Sequence, residues 1–259
     1  MDAVIVEAAI NGTTTKERNP HVPRQPEEIA SDALACLAAG ASIVHNHVDK
    51  VMVPGPEAAA RYVEGWTPVF AARSDALLYP TTNFGPGVEG AYSHMAPLAE
   101  SGRLRIGIID PGSVNLGGVA DDGLPAAPGF VYANSFGDIR YQAELCERLA
   151  LGPSMAIFEP GWLRAALAWH RAGRLPRGAM VKLYFGGDFG YPTTGSERGA
   201  HLHVGLEDFA GPRTPTNEEL VQEAAALCAD VGRPVAGCDD TAEILGLPRP
   251  RPDDVPHAA

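Results

Sequence analysis

Along the chain, short apolar and β-branched runs alternate with longer stretches in which apolar positions recur every three or four residues. The short runs fall at residues 4–11, 42–48, 76–82, 105–110, 154–160, 181–187 and 201–207, and each reads as a strand. Between them lie helical patterns. Residues 26–40 open with Pro26 and two early acids and stop at Gly40, a start and stop that suit a helix. Residues 217–232 repeat the plan, with Asn217 as the expected N-cap and Gly232 as the stop. This alternation argues for parallel βα units. Polar and glycine-rich segments gather after the strands: NGTTTKERNPHVPR, TTNFGPG, DPGSVNLGG and EPGW follow the first, third, fourth and fifth. In parallel α/β folds that end of the strands carries function. Residues 1–247 read as one domain, and the Pro-rich residues 248–259 as a tail.

Composition narrows the class. With 259 residues, 45% of them apolar, the chain can bury one sizeable core. Its 20 Lys and Arg against 32 Asp and Glu give a net charge of −12, which disfavours nonspecific binding to nucleic acid or to acidic membranes. The start, MDAVIVEAAING, lacks the basic and long apolar regions of a signal peptide, and no apolar stretch is long enough for a bilayer. Cys36, Cys146, Cys228 and Cys238 show no CxxC spacing, so we expect buried thiols in a reducing cytoplasm.

One strand carries an unusual pair. In ASIVHNHV, His45 and His47 alternate and therefore share a face, about 6 to 7 Å apart along the backbone. A divalent metal is the natural thing for two such imidazoles to share. A catalytic zinc takes three protein ligands and keeps one position open. In HLHVGLED, alternation places His201, His203, Gly205 and Glu207 on one face. If an eight-stranded barrel closes its last strand on its first, Glu207 reaches the metal on His45 and His47, and Asp208 stands beside it as general base. Read alone, Glu207 and Asp208 are equally an N-cap or surface acids. His94, His170 and His257 are expected to be ordinary polar residues.

Taken together, EAAING, HVPRQPEEIA and IVHNHV near the start, with HVGLEDFAGPRTPTNEELVQEAAALCADVGRPVAG and EILGL near the end, resemble the β-keto acid cleavage enzymes. The resemblance implies a (β/α)8 TIM-type barrel and a divalent metal, usually zinc, on His45, His47 and Glu207. It implies an enzyme that condenses a β-keto acid with acetyl-CoA and releases acetoacetate and a new acyl-CoA. It also implies that Asp208 takes part in proton transfer and that the assembly is a homotetramer. Thr81, Thr82 and Asn83 occupy the place of the family's S-T-G-G turn, and Ser113 and Asn115 that of its G-T-L-N-F-G. Glu159 in FEPG matches the acid of its Y-E-S-G turn. For these residues, loop hydrogen bonding is the competing reading.

The chain departs from the pattern in three ways. The family's Arg two residues before the Gly of R-x-G-x-E-D is His203, a shorter and not always charged side chain. The family's Glu after the first strand falls near Thr14, whereas Glu7 lies within that strand, either orienting Asp208 or serving as a buried structural acid. Between Gly187 and Ser196 there is no room for the seventh βα unit of a full barrel: either the barrel is natively incomplete there or, the reading we favour, the sequence omits that unit. The alternatives are a metal-binding barrel that binds keto acid or acyl-CoA without turnover, and another zinc-dependent barrel hydrolase or lyase. The amidohydrolase type needs His ligands on the fifth and sixth strands, where this chain has FEPG and YFGG. Tyr79, Phe84, Tyr184 and Phe185 near the expected mouth favour an uncharged or apolar substituent on the keto acid.

Overall fold

The computed structural model describes residues 3–49, 53–83, 85–127, 129–184, 201–209, 211–230 and 232–248. In chain order the elements are β1 (Val6–Ala9), α1 (Pro26–Ala39), β2 (Ile43–Asn46), α2 (Gly55–Ala72), β3 (Leu78–Pro80), α3 (Gly87–Ala91), α4 (Met95–Glu100), β4 (Ile106–Ile109), β5 (Val114–Leu116), β6 (Phe130–Tyr132), α5 (Phe136–Arg148), β7 (Gly152–Ile157), α6 (Pro160–Arg171), β8 (Met180–Leu183), β9 (Leu202–Val204), α7 (Asn217–Asp230) and α8 (Cys238–Leu245). All seven expected strands are present and parallel. They form two sheets, ordered β3-β2-β1-β9 and β4-β7-β8, which adjoin where β3 meets β4. The expected short connection between Gly187 and Ser196 lies outside the described residues.

β1 to β4 and β7 are buried on both faces, as parallel strands between helices are, whereas β8 exposes Val181 and Leu183 and β9 is half-buried. Residues from Val4 to Leu247 join one apolar core. The four cysteines are free and buried, as expected. The start and stop of α1 also match: Glu28 reaches back to the backbone N–H groups of Arg24 and Gln25, and Gly40 takes a left-handed φ of 116°. An antiparallel hairpin, β5 with β6, was not foreseen, because its strands are three residues long and half exposed.

Two expectations about the C-terminal region need correction. The last strand does not run to residue 207; it ends at Val204, where Gly205 turns to a φ of +141°. A Cβ on Gly205 would stand 2.0 Å from the carbonyl oxygen of Ala9, so the close approach of β9 to β1 requires glycine here. Nor does Asn217 cap α7. Thr216 does so reciprocally with Glu219: its Oγ1 accepts the Glu219 N–H at 3.1 Å, and Glu219 Oε2 accepts the Thr216 N–H at 2.8 Å. Asn217 is fully buried instead. Its Nδ2 donates to the Ile10 carbonyl and to Asp32 Oδ2, both at 2.7 Å, and its Oδ1 accepts the Leu206 N–H at 2.8 Å. It ties the segment after β9 to the end of β1.

Asn217→Ala leaves those buried partners unsatisfied and should cost about 3 kcal/mol, against about 1 kcal/mol for Thr216→Ala. Urea titrations with unchanged m-values check this, and equal costs would contradict the clamp.

Candidate active site

β2 carries His45 in register with Ala9 of β1 on one side and Tyr79 of β3 on the other. His47 follows β2, and Asn11 fixes its backbone: Asn11 Oδ1 accepts the His47 N–H at 2.7 Å, and Asn11 Nδ2 donates to the His47 carbonyl at 2.9 Å. The two imidazole centroids lie 5.3 Å apart. Glu207 meets both, at 3.1 Å from His47 Nε2 and 3.4 Å from His45 Nε2. It arrives beyond the Gly205 turn rather than by strand alternation. A Cβ at Gly12 would sit 2.4 Å from Glu207 Cγ, so a second glycine makes room for it.

The three ligand atoms lie within 4.8 Å of one another. Burial pushes His45 down to about 3, so its imidazole is neutral at physiological pH. Burial alone would raise the Glu207 carboxyl, but the two histidines hold it well below the usual range. His45 Nδ1 and Glu207 Oε2 are buried without a hydrogen-bond partner. Two imidazoles and a carboxylate with an unspent oxygen fit a divalent cation with an open coordination position.

Beside this triad runs a second chain of contacts. Glu7 of β1, buried, receives Tyr79 Oη at 2.5 Å, Lys182 Nζ at 3.1 Å and His203 Nδ1 at 3.1 Å, all on Oε1. His203 Nε2 reaches Asp208 Oδ2 at 2.9 Å. Burial alone would raise the Glu7 carboxyl, yet Lys182 and His203 keep it ionised far below the usual range. Burial alone would lower His203, but Glu7 and the bond to Asp208 push it up to about 9. At neutral pH His203 is therefore an imidazolium that donates from one nitrogen to Glu7 and from the other to Asp208. The Asp208 side chain is 49% exposed and does not line the cavity that His45 and Glu207 face.

A cavity of about 490 Å³ is lined by His45, Glu207, Tyr79 and Lys182, together with other residues of both sheets. Of the expected substrate contacts, Thr81, Thr82 and Asn83 line it. Their loop is held from behind: Tyr62 Oη accepts the Thr81 N–H at 3.2 Å, and His94 Nε2 donates to the Thr81 carbonyl at 2.8 Å. His94 is thus a buried support. Ser113, Asn115 and Glu159 do not line the cavity. Ser113 Oγ is spent on the backbone of Asn134 at 3.1 and 2.9 Å, Asn115 is exposed on β5, and Glu159 is the exposed residue preceding α6. His203 stands behind Tyr184, with ring centroids 5.4 Å apart. Phe84 and Phe185 lie outside the described residues. The sequence reading missed Lys182, Asn11 and Asp110. Lys182 alone left a trace, as the single charge within the apolar run MVKLYF.

The profile for beta-keto acid cleavage enzyme matches residues 3–197 and 191–247. The chain belongs to the beta-keto acid cleavage enzyme family. Among curated relatives, the 3-keto-5-aminohexanoate cleavage enzyme of Acetoanaerobium sticklandii is 24% identical over 284 residues, covering 95% of this chain and 99% of that protein. The 3-oxoadipate:acetyl-CoA acetyltransferase of Cupriavidus necator is 26% identical over 287 residues, covering 94% of this chain and 95% of that one. The apo structure of ObcA superposes with a TM-score of 0.65 at 15% identity, over 88% of this chain and 66% of that one. The fold is therefore shared with ObcA. Among the described residues no helix of this family member is long and apolar enough to cross a membrane.

Two outcomes test the site. Zinc dialysis should give one ion per chain, and His45→Ala or Glu207→Gln should weaken binding at least about tenfold; full retention by both would refute the triad. His203 has a folded value raised from 6.5 to about 9, so the stability it contributes is fully present below pH 6.5 and is lost as pH rises through 9. The stability gap between wild type and His203→Gln should shrink over that window by at most about 3 kcal/mol. Denaturant titrations at both ends of the window measure it.

Proposed function

We propose that this enzyme joins a β-keto acid to acetyl-CoA and releases acetoacetate and a new acyl-CoA, using a divalent metal, zinc in the first instance, held by His45, His47 and Glu207. The observation that carries the reading is the meeting of His45, His47 and Glu207, with the next residue, Asp208, a half-exposed carboxylate bonded to a charged His203. Relatives named for keto-acid cleavage and for acetyl-CoA acetyl transfer align over nearly the whole chain, which supports it.

When bound, the metal supplies Lewis-acid stabilisation for negative charge that builds on the keto oxygen. The chain supplies the proton handling. Asp208 takes the proton from C2, between the keto and carboxylate groups of the substrate. C2 then bonds to the acetyl carbonyl carbon as the C–S bond of acetyl-CoA breaks. The freed thiolate attacks the original keto carbon, the bond from that carbon to C2 breaks, and C2 recovers a proton from Asp208. Each product keeps its full complement of atoms: acetoacetate carries C2 and the carboxylate, and the acyl group leaves on CoA. Glu7 holds His203 in place and charged, and Thr81, Thr82 and Asn83 offer hydrogen bonds to the substrate.

For the whole fold we propose a TIM-type barrel within a single domain over residues 1–247, the sequence between Gly187 and Ser196 being too short to supply the seventh βα unit. Pairing of β9 with β1 and contact of β3 with β4 support closure. The alignment to the Acetoanaerobium sticklandii relative runs over 284 residues, more than the 259 of this chain, and the two profile matches meet at 191–197. The family resemblance and four buried free thiols also support a cytoplasmic homotetramer.

Zinc-loaded protein given acetyl-CoA and a panel of β-keto acids should form acetoacetate and acyl-CoA in equal amounts. Asp208→Asn should cut kcat about 100-fold or more while keeping its zinc. Wild-type protein that retains zinc yet turns over no keto acid would instead be a binding module.

A further inference from the structure

The cavity has a second polar end. Asp110 leaves β4, in the sheet that does not carry the metal triad, and is 5% exposed where it lines the cavity. Its backbone N–H donates to Gln142 Oε1 at 2.8 Å, and Gln142 Nε2 donates to Asn134 Oδ1 at 2.8 Å, which fixes the residue from behind. The Tyr132 hydroxyl donates to its carboxylate. The Tyr92 hydroxyl, buried and lining the same cavity, also faces that carboxylate and helps hold it ionised. Burial pushes the Asp110 carboxyl up to about 6, so it is still mostly ionised at neutral pH.

Charge accounting gives this end a preference. Besides His45, the ionised groups lining the cavity are Lys182, Glu207, Asp138 and Asp110. Lys182 is paired with Glu7, Glu207 belongs to the metal triad, and Asp138 accepts the Ser135 N–H at the start of α5. Among the described residues no cationic side chain forms an ion pair with Asp110; Lys182, committed to Glu7, acts on it only from a distance across the cavity. A buried carboxylate without a cation is costly until something positive or hydrogen-donating meets it. The Tyr132 ring, whose hydroxyl reaches Asp110, lines the cavity too and offers a face that attracts a cation.

We propose that Asp110 is the specificity residue of the cavity, selecting β-keto acids whose end remote from the carboxylate bears an ammonium or another strong hydrogen-bond donor. The assignment rests on the proposed reaction only for which end of the substrate faces the metal. It replaces the apolar substituent expected from the aromatic residues alone: Ile108, Leu116 and Phe158 suit the substrate's carbon chain, and Asp110 its tip.

The test is equilibrium binding by calorimetry to zinc-loaded protein without acetyl-CoA, using three β-keto acids of equal length ending in ammonium, methyl or carboxylate. The ammonium compound should bind about tenfold or more tighter than the methyl compound, and the carboxylate compound weakest. Asp110→Asn keeps an acceptor for Tyr132 and should bring the ammonium-to-methyl ratio to within about threefold. Methyl or carboxylate binding as tight as ammonium in the wild type overturns the proposal, whether or not the variant folds. So does a variant that keeps the wild-type ratio. An intact ranking with no acetoacetate formed would sink the reaction and spare Asp110; turnover without the ranking would do the reverse.

Discussion

The last strand lies against the first because Gly205 presents no side chain to the Ala9 carbonyl, and the geometry of the site follows from that contact. A methyl group there would overlap the backbone of β1, and the segment carrying Glu207 and Asp208 would have to move away. Gly12 repeats the requirement from the other side, under Glu207 itself. Polar clamps hold what the glycines permit. Asn217 and Thr14 grip the Leu206 backbone, one through its N–H and the other through its carbonyl, while Asn11 grips His47. Ligand positions are thus set by buried amide and hydroxyl groups with little freedom to relax, which suits a metal site.

Behind the three residues, charge is arranged so that a histidine stays cationic. Imidazole near neutrality is an unreliable charge, and the family pattern has an arginine where His203 stands. Glu7 resolves the difficulty. Its single oxygen Oε1 collects donors from Tyr79, Lys182 and His203, stays ionised, and raises His203 far enough to remain protonated. Lys182 offsets the resulting buried negative charge. The shorter side chain is accommodated because Glu7 faces His203 directly across the register of β1 and β9.

The sequence was most informative where a period met a distinctive residue type. Alternation put His45 and His47 on one face, and the expected closure of last strand on first is present in the pairing of β9 with β1. Glu207 does meet both histidines, but not by the alternation argued from the sequence: the chain reaches them through a turn that only the backbone angle of Gly205 reveals. Loop residues transferred by motif fared unevenly. Thr81, Thr82 and Asn83 line the cavity, while Ser113 is consumed by Asn134. Whether a short polar side chain turns to solvent, backbone or cavity depends on a partner far away in sequence. Asn217 misled for the same reason: its local context reads as a cap, and its tertiary partners won. Lys182, Asn11 and Asp110 went unnoticed because their roles are defined by neighbours from other strands.

Those distant partners also order events in time. Glu207 meets His47 across 160 residues, and His203 meets Glu7 across 196. Contacts of such separation are among the last that a folding chain can afford to close. A ribosome emitting this protein from its N-terminus exposes His45 and His47 long before their carboxylate partner exists. Until then the half-made site holds two imidazoles with no third ligand. Acquisition of a tightly held ion would therefore mark the moment at which the two ends of the chain have joined, and would double as a readout of completed folding.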